Sequence, residues 1–248
     1  MPTQSRATAR TPFSLVDAFR GIGDLFALAK PRLSGMVVST TAAGLGTALA
    51  LGIALPAFAI PMLAFAANPL TALLALVALV SYAFVYTPMK RWSTAALFVG
   101  AVPGAIPPLM GWTAATGSID ARGLALFALL FVWQLPHFLA ISIYLKEDYA
   151  RGGLKVFALV HGERAAKIWA VGTSAILVPV GMLPAFLGMA SWGYGAVAAL
   201  LGLGLAAGAA TGLRIRIPEG SSRWARNFFL STLLYLVLVF IALFLGAR

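Results

Sequence analysis

The sequence predicts an all-α fold, a polytopic integral membrane bundle of helices. Of its 248 residues, 61% are hydrophobic and only 10% are charged, and the mean hydropathy is +0.93. Continuous apolar runs of about 20 residues recur along the chain, each long enough to cross a hydrocarbon core as a helix. The runs do not alternate polar and apolar residues, as the strands of a β-barrel would.

Seven spans are predicted. They cover residues 33–66, 69–88, 94–115, 121–145, 166–190, 192–212 and 227–246. The first is too long for one straight span and has no polar loop, so we expect a tilted or kinked helix that breaks, if anywhere, at Pro56 and Pro61. Residues 1–28 are polar and basic and lack a signal-peptide pattern. We expect them to form a cytoplasmic tail, with a surface amphipathic helix at 12–28, ahead of a membrane domain at 29–248.

Basic residues predict the sidedness of the spans. With the N-terminus in the cytoplasm, only Arg122 and Arg248 of the 18 lysines and arginines fall on the outer side, which leaves 16 inside. This bias is typical of a bacterial-type inner-membrane protein and puts the C-terminus outside. The net charge of +11 is thereby explained, so the lipid bilayer, and not nucleic acid, is the expected partner. The chain has no cysteine, which excludes disulfides and thiolate chemistry.

Polar residues interrupt the fourth predicted span in the stretch FVWQLPHFLAISIYLKEDYARGG, residues 131–153. At about 100° per residue, Trp133, His137, Tyr144 and Asp148 share one helical face, with Gln134 at its edge. Such residues either hydrogen-bond between helices or mark a functional path. We favour the functional path because the stripe ends in an acid.

The following cytoplasmic segment combines the acids Glu147 and Asp148 with a dense set of cations, which are Lys146, Arg151, Lys155, Arg164 and the nearby Lys167. A carboxylate that holds Mg²⁺, with lysines and arginines on the phosphate oxygens, suits a bound diphosphate. A basic loop on anionic lipid headgroups has the same composition. These residues alone do not decide between the two.

Two more stretches are candidates for the same site. In SYAFVYTPMKRWST, Tyr82, Tyr86 and Lys90 share a helical face, and Lys90 and Arg91 could join the phosphate cluster; the tyrosines could equally be interfacial belt residues. The glycines and prolines of FVGAVPGAIPPLMGWTAATG, residues 98–117, predict a closely packed, kinked helix that lines a cavity. A packing role alone is the alternative.

Together these stretches resemble the haem O synthases (protohaem IX farnesyltransferases) of the UbiA-type prenyltransferase superfamily. The resemblance rests on AKPRLSGMVV at 29–38, YTPMKRWST, the Gly/Pro run, and WQLPHF followed by KEDYARGG. It implies a helical bundle with a central cavity open to the membrane. It also implies that farnesyl diphosphate and Mg²⁺ bind near the cytoplasmic side and that haem B is the second substrate.

The resemblance also implies residue roles. The farnesyl group would ionise as pyrophosphate leaves, and the haem vinyl group would attack the cation, with water completing a hydroxyethylfarnesyl group. Asp148 matches the acid of the second cytoplasmic motif and Lys146 the basic residue before it, which implies catalytic roles and a metal-binding role for Asp148. Trp133 and His137 match the motif on the helix above, where haem would lie, with His137 a hypothetical iron ligand. Haem A synthase or cytochrome oxidase assembly factors are implied partners.

The chain departs from the family at its first acidic motif. No acidic residue occurs between Lys30 and Asp120, and seven spans are predicted where family members have nine. We interpret this as an internal deletion near 45–52, and we expect the purified chain to form no haem O. The alternatives are a non-catalytic haem-binding or oxidase-assembly membrane protein, and a quinone-type aromatic prenyltransferase, against which WQLPHF argues. A transporter is disfavoured, because no inverted repeat is evident.

Overall fold

The computed structural model describes residues 31–215 and 217–247 of the chain. The predicted tail at 1–28, with its amphipathic helix, lies outside the described residues. The described helices are α1 (Pro31–Ala66), α2 (Pro69–Val80), α3 (Thr87–Met89), α4 (Ala96–Thr116), α5 (Ala121–Tyr144), α6 (Lys146–Arg151), α7 (Phe157–Val160), α8 (Gly162–Phe186), α9 (Trp192–Thr211) and α10 (Pro218–Gly246). A π-helical turn at Ser81–Tyr86 joins α2 to α3, and a 3₁₀ turn at Gly212–Arg214 follows α9.

The prediction of a helical membrane bundle is confirmed. Seven helical segments of the described chain are long and apolar enough to cross a membrane, and they match the seven predicted spans. Two spans start well before their predicted positions, α8 at Gly162 rather than at 166 and α10 at Pro218 rather than at 227, and α8 also ends at Phe186 rather than at 190. Pro218, at the first position of α10, suits a helix start because its missing N–H is not needed there.

The first predicted span is one helix. α1 runs from Pro31 to Ala66 through both Pro56 and Pro61, so the break considered at these prolines does not occur. The chain divides into two units, Met1–Phe58 and Ala59–Arg248, and the candidate site lies entirely within the second.

Helix α5 is the central element of the second unit. It packs against α4, α8 and α10, while α9 packs against α8 and α10, and α2 packs against α4. Leu129 and Leu139 of α5, Leu177 of α8 and Val239 of α10 have no exposed surface. A side chain on α5 therefore faces a different neighbour according to its position on the helix, and this decides which of the predicted site residues meet.

The α2–α4 contact is fixed by side-chain caps. Asn68 caps α2 by accepting a hydrogen bond from the Thr71 backbone N–H, at 2.9 Å, and its amide donates to the Thr113 carbonyl, at 2.7 Å. The hydroxyls of Thr71 and Thr113 are 2.8 Å apart. Capping satisfies backbone groups that have no partner within the helix.

The Gly/Pro stretch forms an unbroken helix, α4, that includes Pro103, Pro107 and Pro108. Its glycines admit neighbouring side chains. A Cβ at Gly100 would lie 2.6 Å from the ring of Tyr86, and one at Gly104 would lie 2.1 Å from Gln134 Oε1. The glycines of α4 therefore allow close packing of neighbouring side chains, as expected for this stretch. The cavity described below touches α4 only at its first turn, through Ala96 and Leu97.

The predicted polar stripe does not continue as one helix. α5 ends at Tyr144, Leu145 has φ −104° and ψ 28°, and the separate helix α6 carries Asp148. Because the chain turns at Leu145, helical periodicity cannot relate Asp148 to Trp133 and His137. The predicted alignment of Asp148 with that face was wrong for this reason.

Candidate functional site: a cationic cavity and the seam between α5 and α10

A cavity of about 90 Å³ opens where the segment after α3 meets α5 and the α6–α7 segment. Its polar lining includes Tyr86, Lys90, Thr94, Tyr149 and Lys155. Phe138 and Ile141 of α5 and Leu97 of α4 form its apolar wall. The structure therefore brings together three of the predicted substrate-binding residues, Tyr86, Lys90 and Lys155.

Tyr86 ends the π-helical turn that interrupts the second span. Its ring lies over Gly100, 5.2 Å from the ring of Tyr82. Lys90 Nζ is 5.7 Å from the centroid of the Tyr86 ring, within the range of a cation–π interaction. Single π-helical turns within α-helices are frequent at functional sites.

Backbone and side-chain bonds link the two sides of the cavity. Lys155 donates its backbone N–H to the Lys90 carbonyl, at 3.3 Å. The Thr94 hydroxyl is 3.1 Å from His161 Nε2, and the His161 ring lies 4.6 Å from that of Phe157. Residues far apart in sequence are thus held next to one another around one small cavity.

The cavity is positively charged and therefore suited to anions. Its lining, drawn from the part of the chain that the structure describes, contains two lysines and no carboxylate. Burial raises the pKa of the Tyr149 phenol, so this hydroxyl stays protonated at neutral pH and can donate a hydrogen bond. Two ammonium groups and a neutral phenol are suited to bind phosphate oxygens.

Asp148 and Lys146 lie elsewhere. They line an open surface cleft of about 590 Å³ with Glu147, Arg151 and Glu163. Asp148 is ion-paired with Arg151, and Lys146 Nζ is 2.9 Å from Glu163 Oε1. The structure therefore does not bring Asp148, Lys146 or Arg151 into the cavity of Lys90 and Lys155. Arg91 is exposed and does not line that cavity either.

The other predicted α5 residues diverge. Trp133 Nε1 donates to the Thr232 carbonyl of α10, at 2.7 Å, and His137 Nδ1 lies 2.8 Å from the Thr232 hydroxyl. Gln134 is buried on the α4 side, where its amide donates to the Ala101 carbonyl at 3.4 Å; it also donates to the Leu130 carbonyl of its own helix at 3.1 Å. Tyr144 lines a third opening with Arg223 and Arg226 of α10.

Comparison with known proteins decides the family. The model of the UbiA prenyltransferase family matches residues 37–246, which include every element of the site described above. The chain belongs to the UbiA prenyltransferase family.

Relatives within the UbiA family share one name. The chain is 53% identical to a protoheme IX farnesyltransferase of Anaeromyxobacter sp. (strain Fw109-5), over 91% of this chain and 94% of the relative. It is 63% identical to the protein of that name from Anaeromyxobacter dehalogenans, over 80% of this chain and 66% of the relative. The Sorangium cellulosum protein of the same name is 49% identical over 81% and 70%. No solved structure is a significant match.

The lengths of these UbiA-family alignments differ in an informative way. The 91% of this chain that matches the Fw109-5 protein is about 226 residues, yet the alignment has 281 positions. About 55 positions of that relative therefore have no counterpart here. The 80% that matches the A. dehalogenans protein is about 198 residues in an alignment of 199, so that alignment is almost free of gaps. The chain spans about two thirds of the length of that relative.

Sequence reasoning missed several residues of this UbiA-family site. Thr94 and Tyr149 line the cavity, and Thr232 contacts both predicted aromatic residues of α5. Thr94 and Tyr149 each carried a local signal, because Thr94 ends the candidate stretch SYAFVYTPMKRWST and Tyr149 immediately follows Asp148. Thr232 is joined to the site by tertiary contacts alone.

One predicted cation is excluded from the site. Lys167 was grouped with the cytoplasmic cluster, but it is buried, with 4% of its surface exposed. Its ammonium donates to the Ile215 carbonyl at 2.9 Å and to Ser221 Oγ at 2.7 Å, and it lies 5.6 Å from the Trp224 ring. Lys167 thus connects α8 to the residue that follows the 3₁₀ turn, and its ammonium is not available to a ligand.

Proposed function

We propose that the chain is a protohaem IX farnesyltransferase, a haem O synthase, by the design of its site, which would bind farnesyl diphosphate and haem B, and that this form of it lacks a segment needed for turnover. The observation that carries this proposal is the cavity in which Lys90, Lys155 and Tyr86 converge beside the apolar wall of α5. The shared name of the relatives over most of the chain supports it.

The cavity suits the diphosphate head of a prenyl donor. Lys90 and Lys155 would neutralise phosphate oxygens, and the protonated Tyr149 phenol would donate a hydrogen bond. The cavity volume of about 90 Å³ suits the diphosphate head and is too small for the farnesyl tail. The farnesyl tail would therefore extend out of the cavity along Phe138 and Ile141. As the bond to the leaving pyrophosphate breaks, negative charge grows on its oxygens, and fixed cations stabilise that charge.

The seam between α5 and α10 suits the acceptor. Trp133, His137 and Phe229 pack against one another there, with the His137 ring 4.8 Å from Trp133 and 4.6 Å from Phe229. The opening lined by Tyr144, Arg223 and Arg226 lies toward the end of α5 and the start of α10. A porphyrin in this seam would keep its carboxylates near the arginines and its apolar edge in the membrane.

The metal is the part of the proposal that the described residues do not fit. UbiA-family members generally use a divalent metal, and we expect Mg²⁺. Within the described residues, however, no group of three or more His, Asp or Glu side chains is placed to hold a metal. Asp148 is exposed, paired with Arg151 and outside the lysine cavity. Asp148 as a metal ligand, and Lys146 as its neighbour in catalysis, stay predictions.

A missing internal segment would explain this misfit. The roughly 55 unmatched positions in the 53% identical relative support a deletion in this chain, and the absence of acidic residues between Lys30 and Asp120 supports a site near 45–52. Such a deletion would remove the first acidic motif, leaving one carboxylate for a metal that two motifs normally hold. We therefore expect this chain to bind its substrates but to give no haem O.

The test compares two purified proteins, this chain and a variant with the missing segment of the Fw109-5 relative inserted at 45–52. Both are given haem B, farnesyl diphosphate and Mg²⁺, and haem O is measured by chromatography and mass spectrometry. Product from the repaired variant alone supports the proposal. Equal turnover by the unmodified chain would show that the inserted segment is dispensable and refute the deletion argument.

A non-catalytic haem-binding or oxidase-assembly role is the second candidate. The Arg151 guanidinium on Asp148 favours it, because that carboxylate is already neutralised by a protein cation. Haem binding without product in both variants would establish this role and reject the synthase.

The orientation in the membrane is also a proposal. We propose an inner-membrane protein with a cytoplasmic N-terminus and an outer C-terminus, as the distribution of basic residues predicts. Since the chain has no cysteine, single substitutions report sidedness cleanly. An impermeant maleimide should label Ser118→Cys in intact cells and Ser93→Cys only after permeabilisation. The reverse pattern would refute the topology. Haem A synthase and oxidase assembly factors remain proposed partners, to be tested by co-purification.

A further inference from the structure

His137 and Thr232 form a polar contact between α5 and α10. His137 Nδ1 lies 2.8 Å from Thr232 Oγ1, and Thr232 is fully buried. The Thr232 hydroxyl also donates to the Phe229 carbonyl, one turn earlier on α10, at 2.6 Å. The same residue accepts the Trp133 indole N–H at its own carbonyl, at 2.7 Å.

The direction of the His137 bond depends on where the Thr232 hydroxyl proton goes. A threonine hydroxyl has one proton to donate, and the Phe229 carbonyl, 2.6 Å away, can only accept. If the proton goes to this carbonyl, which is the shorter of the two contacts, Thr232 Oγ1 accepts from His137 and Nδ1 carries the proton. In the neutral imidazole the lone pair then lies on Nε2.

The ring is also held in orientation. It lies between Trp133 and Phe229, with centroids 4.8 Å and 4.6 Å away, and Trp133 is itself anchored to Thr232. Nε2 makes no hydrogen bond to any residue of the described chain, and His137 is only half-buried. The Nε2 lone pair is thus free to bind a ligand, and contacts with α10 set the orientation of the ring that carries it.

We propose that Thr232 is a positioning residue, which holds His137 with Nδ1 protonated and presents the Nε2 lone pair to the iron of a porphyrin. The proposal rests on the proposed function, which supplies haem as the substrate. Its physical basis is general, because a metal-binding histidine usually donates its other ring N–H to a fixed acceptor, and this bond sets the tautomer and raises the basicity of the ligand nitrogen.

The tautomer can be measured without haem. The chain has only two histidines, so ¹⁵N-histidine labelling gives few ring signals, and His161→Gln identifies those of His137. We expect a protonated Nδ1 and an unprotonated Nε2 in the wild type. Thr232→Val should lose this preference and Thr232→Ser should keep it. Ser231→Ala is the matched control, because the exposed Ser231 hydroxyl donates only to the Asn227 carbonyl. A proton on Nε2 in the wild type overturns the proposal.

Haem binding supplies the second readout. Ferric haem B is titrated into detergent-solubilised protein, and the Soret band and electron paramagnetic resonance spectrum report a nitrogen ligand. We expect this signature in the wild type, Thr232→Ser and Ser231→Ala, and its loss in His137→Ala. Thr232→Val should bind haem about 10- to 100-fold more weakly, the range for loss of such a partner, with a changed spectrum.

The outcomes separate this proposal from the proposed function. Haem binding by Thr232→Val with the wild-type affinity and spectrum overturns the role of Thr232 and leaves the synthase proposal intact. Binding by the wild type without a nitrogen ligand does the same. If the wild type binds no haem at all, both proposals fail, whatever tautomer the labelled protein shows.

Discussion

The backbone N–H of Lys155 lies 3.3 Å from the carbonyl oxygen of Lys90. This one bond joins the segment after the second span to the segment before α7 and sets two ammonium side chains on the same cavity. Sixty-five positions separate these lysines in the sequence, so their pairing is a product of the fold.

Replacement of Lys90 should weaken anion binding. Lys90→Met removes one of the two cations of the cavity, and a hydrogen bond to a charged group contributes about 1.5–3 kcal/mol. We expect the affinity for pyrophosphate, measured by calorimetric titration, to fall by about 10- to 100-fold. Arg91→Gln is the matched control, since it removes the same charge next door but outside the cavity. An equal loss of pyrophosphate affinity in both variants would mean that the overall positive charge of this surface, and not the cavity, binds the anion.

Gly104 should not tolerate a methyl group. A Cβ there would lie 2.1 Å from Gln134 Oε1, so Gly104→Ala must displace Gln134 or separate α4 from α5. Overpacking of this kind costs about 1–3 kcal/mol, which thermal unfolding in detergent would register as a lower midpoint. Gly111→Ala on the same helix is the control, because nothing lies within 4 Å of its Cβ. Equal stability of the two variants would contradict the close contact.

Lys167 should be needed for stability rather than for binding. Lys167→Met leaves the Ile215 carbonyl and Ser221 Oγ without the ammonium that now serves both. An unsatisfied buried polar group costs about 1–3 kcal/mol, so the unfolding midpoint should fall while pyrophosphate affinity stays unchanged. Arg164→Gln removes an exposed cation three residues away and should alter neither. A weaker pyrophosphate affinity in Lys167→Met would show that Lys167 contributes to anion binding and would contradict a purely structural role.

Tyr149 should make the protein less stable at high pH. Burial raises its pKa above the ordinary value of 10.0, so the folded state holds the phenolic proton after the unfolded state has released it. Its contribution is therefore constant below pH 10 and falls as the pH rises toward the folded-state pKa. Unfolding midpoints of Tyr149→Phe and wild type between neutral pH and pH 11 should diverge at the alkaline end, with the variant losing less. Parallel curves would contradict the burial of this phenol.

The length of the apolar runs predicted the spans, but helical periodicity did not predict the partners of their side chains. Trp133, Gln134 and His137 were placed near one face, yet Gln134 donates to the Ala101 carbonyl of α4 while the other two contact Thr232 of α10. A difference of one position turns a side chain by about 100°, and α5 has a different helix on each side. Which neighbour stands at which angle is set by tertiary packing.

The sequence by itself determined the membrane bundle, because the length and apolarity of each run satisfy the bilayer without reference to any other run. It also pointed to Lys90 and Lys155 as candidate phosphate ligands and to Tyr86 as a candidate residue of the same site, since residue type and position near a span end are local properties. Only the tertiary structure decided that these three share a cavity from which Asp148 is turned away. The reason is the non-helical Leu145, which changes the direction of the chain between α5 and α6. No residue pattern in the sequence predicts such a turn.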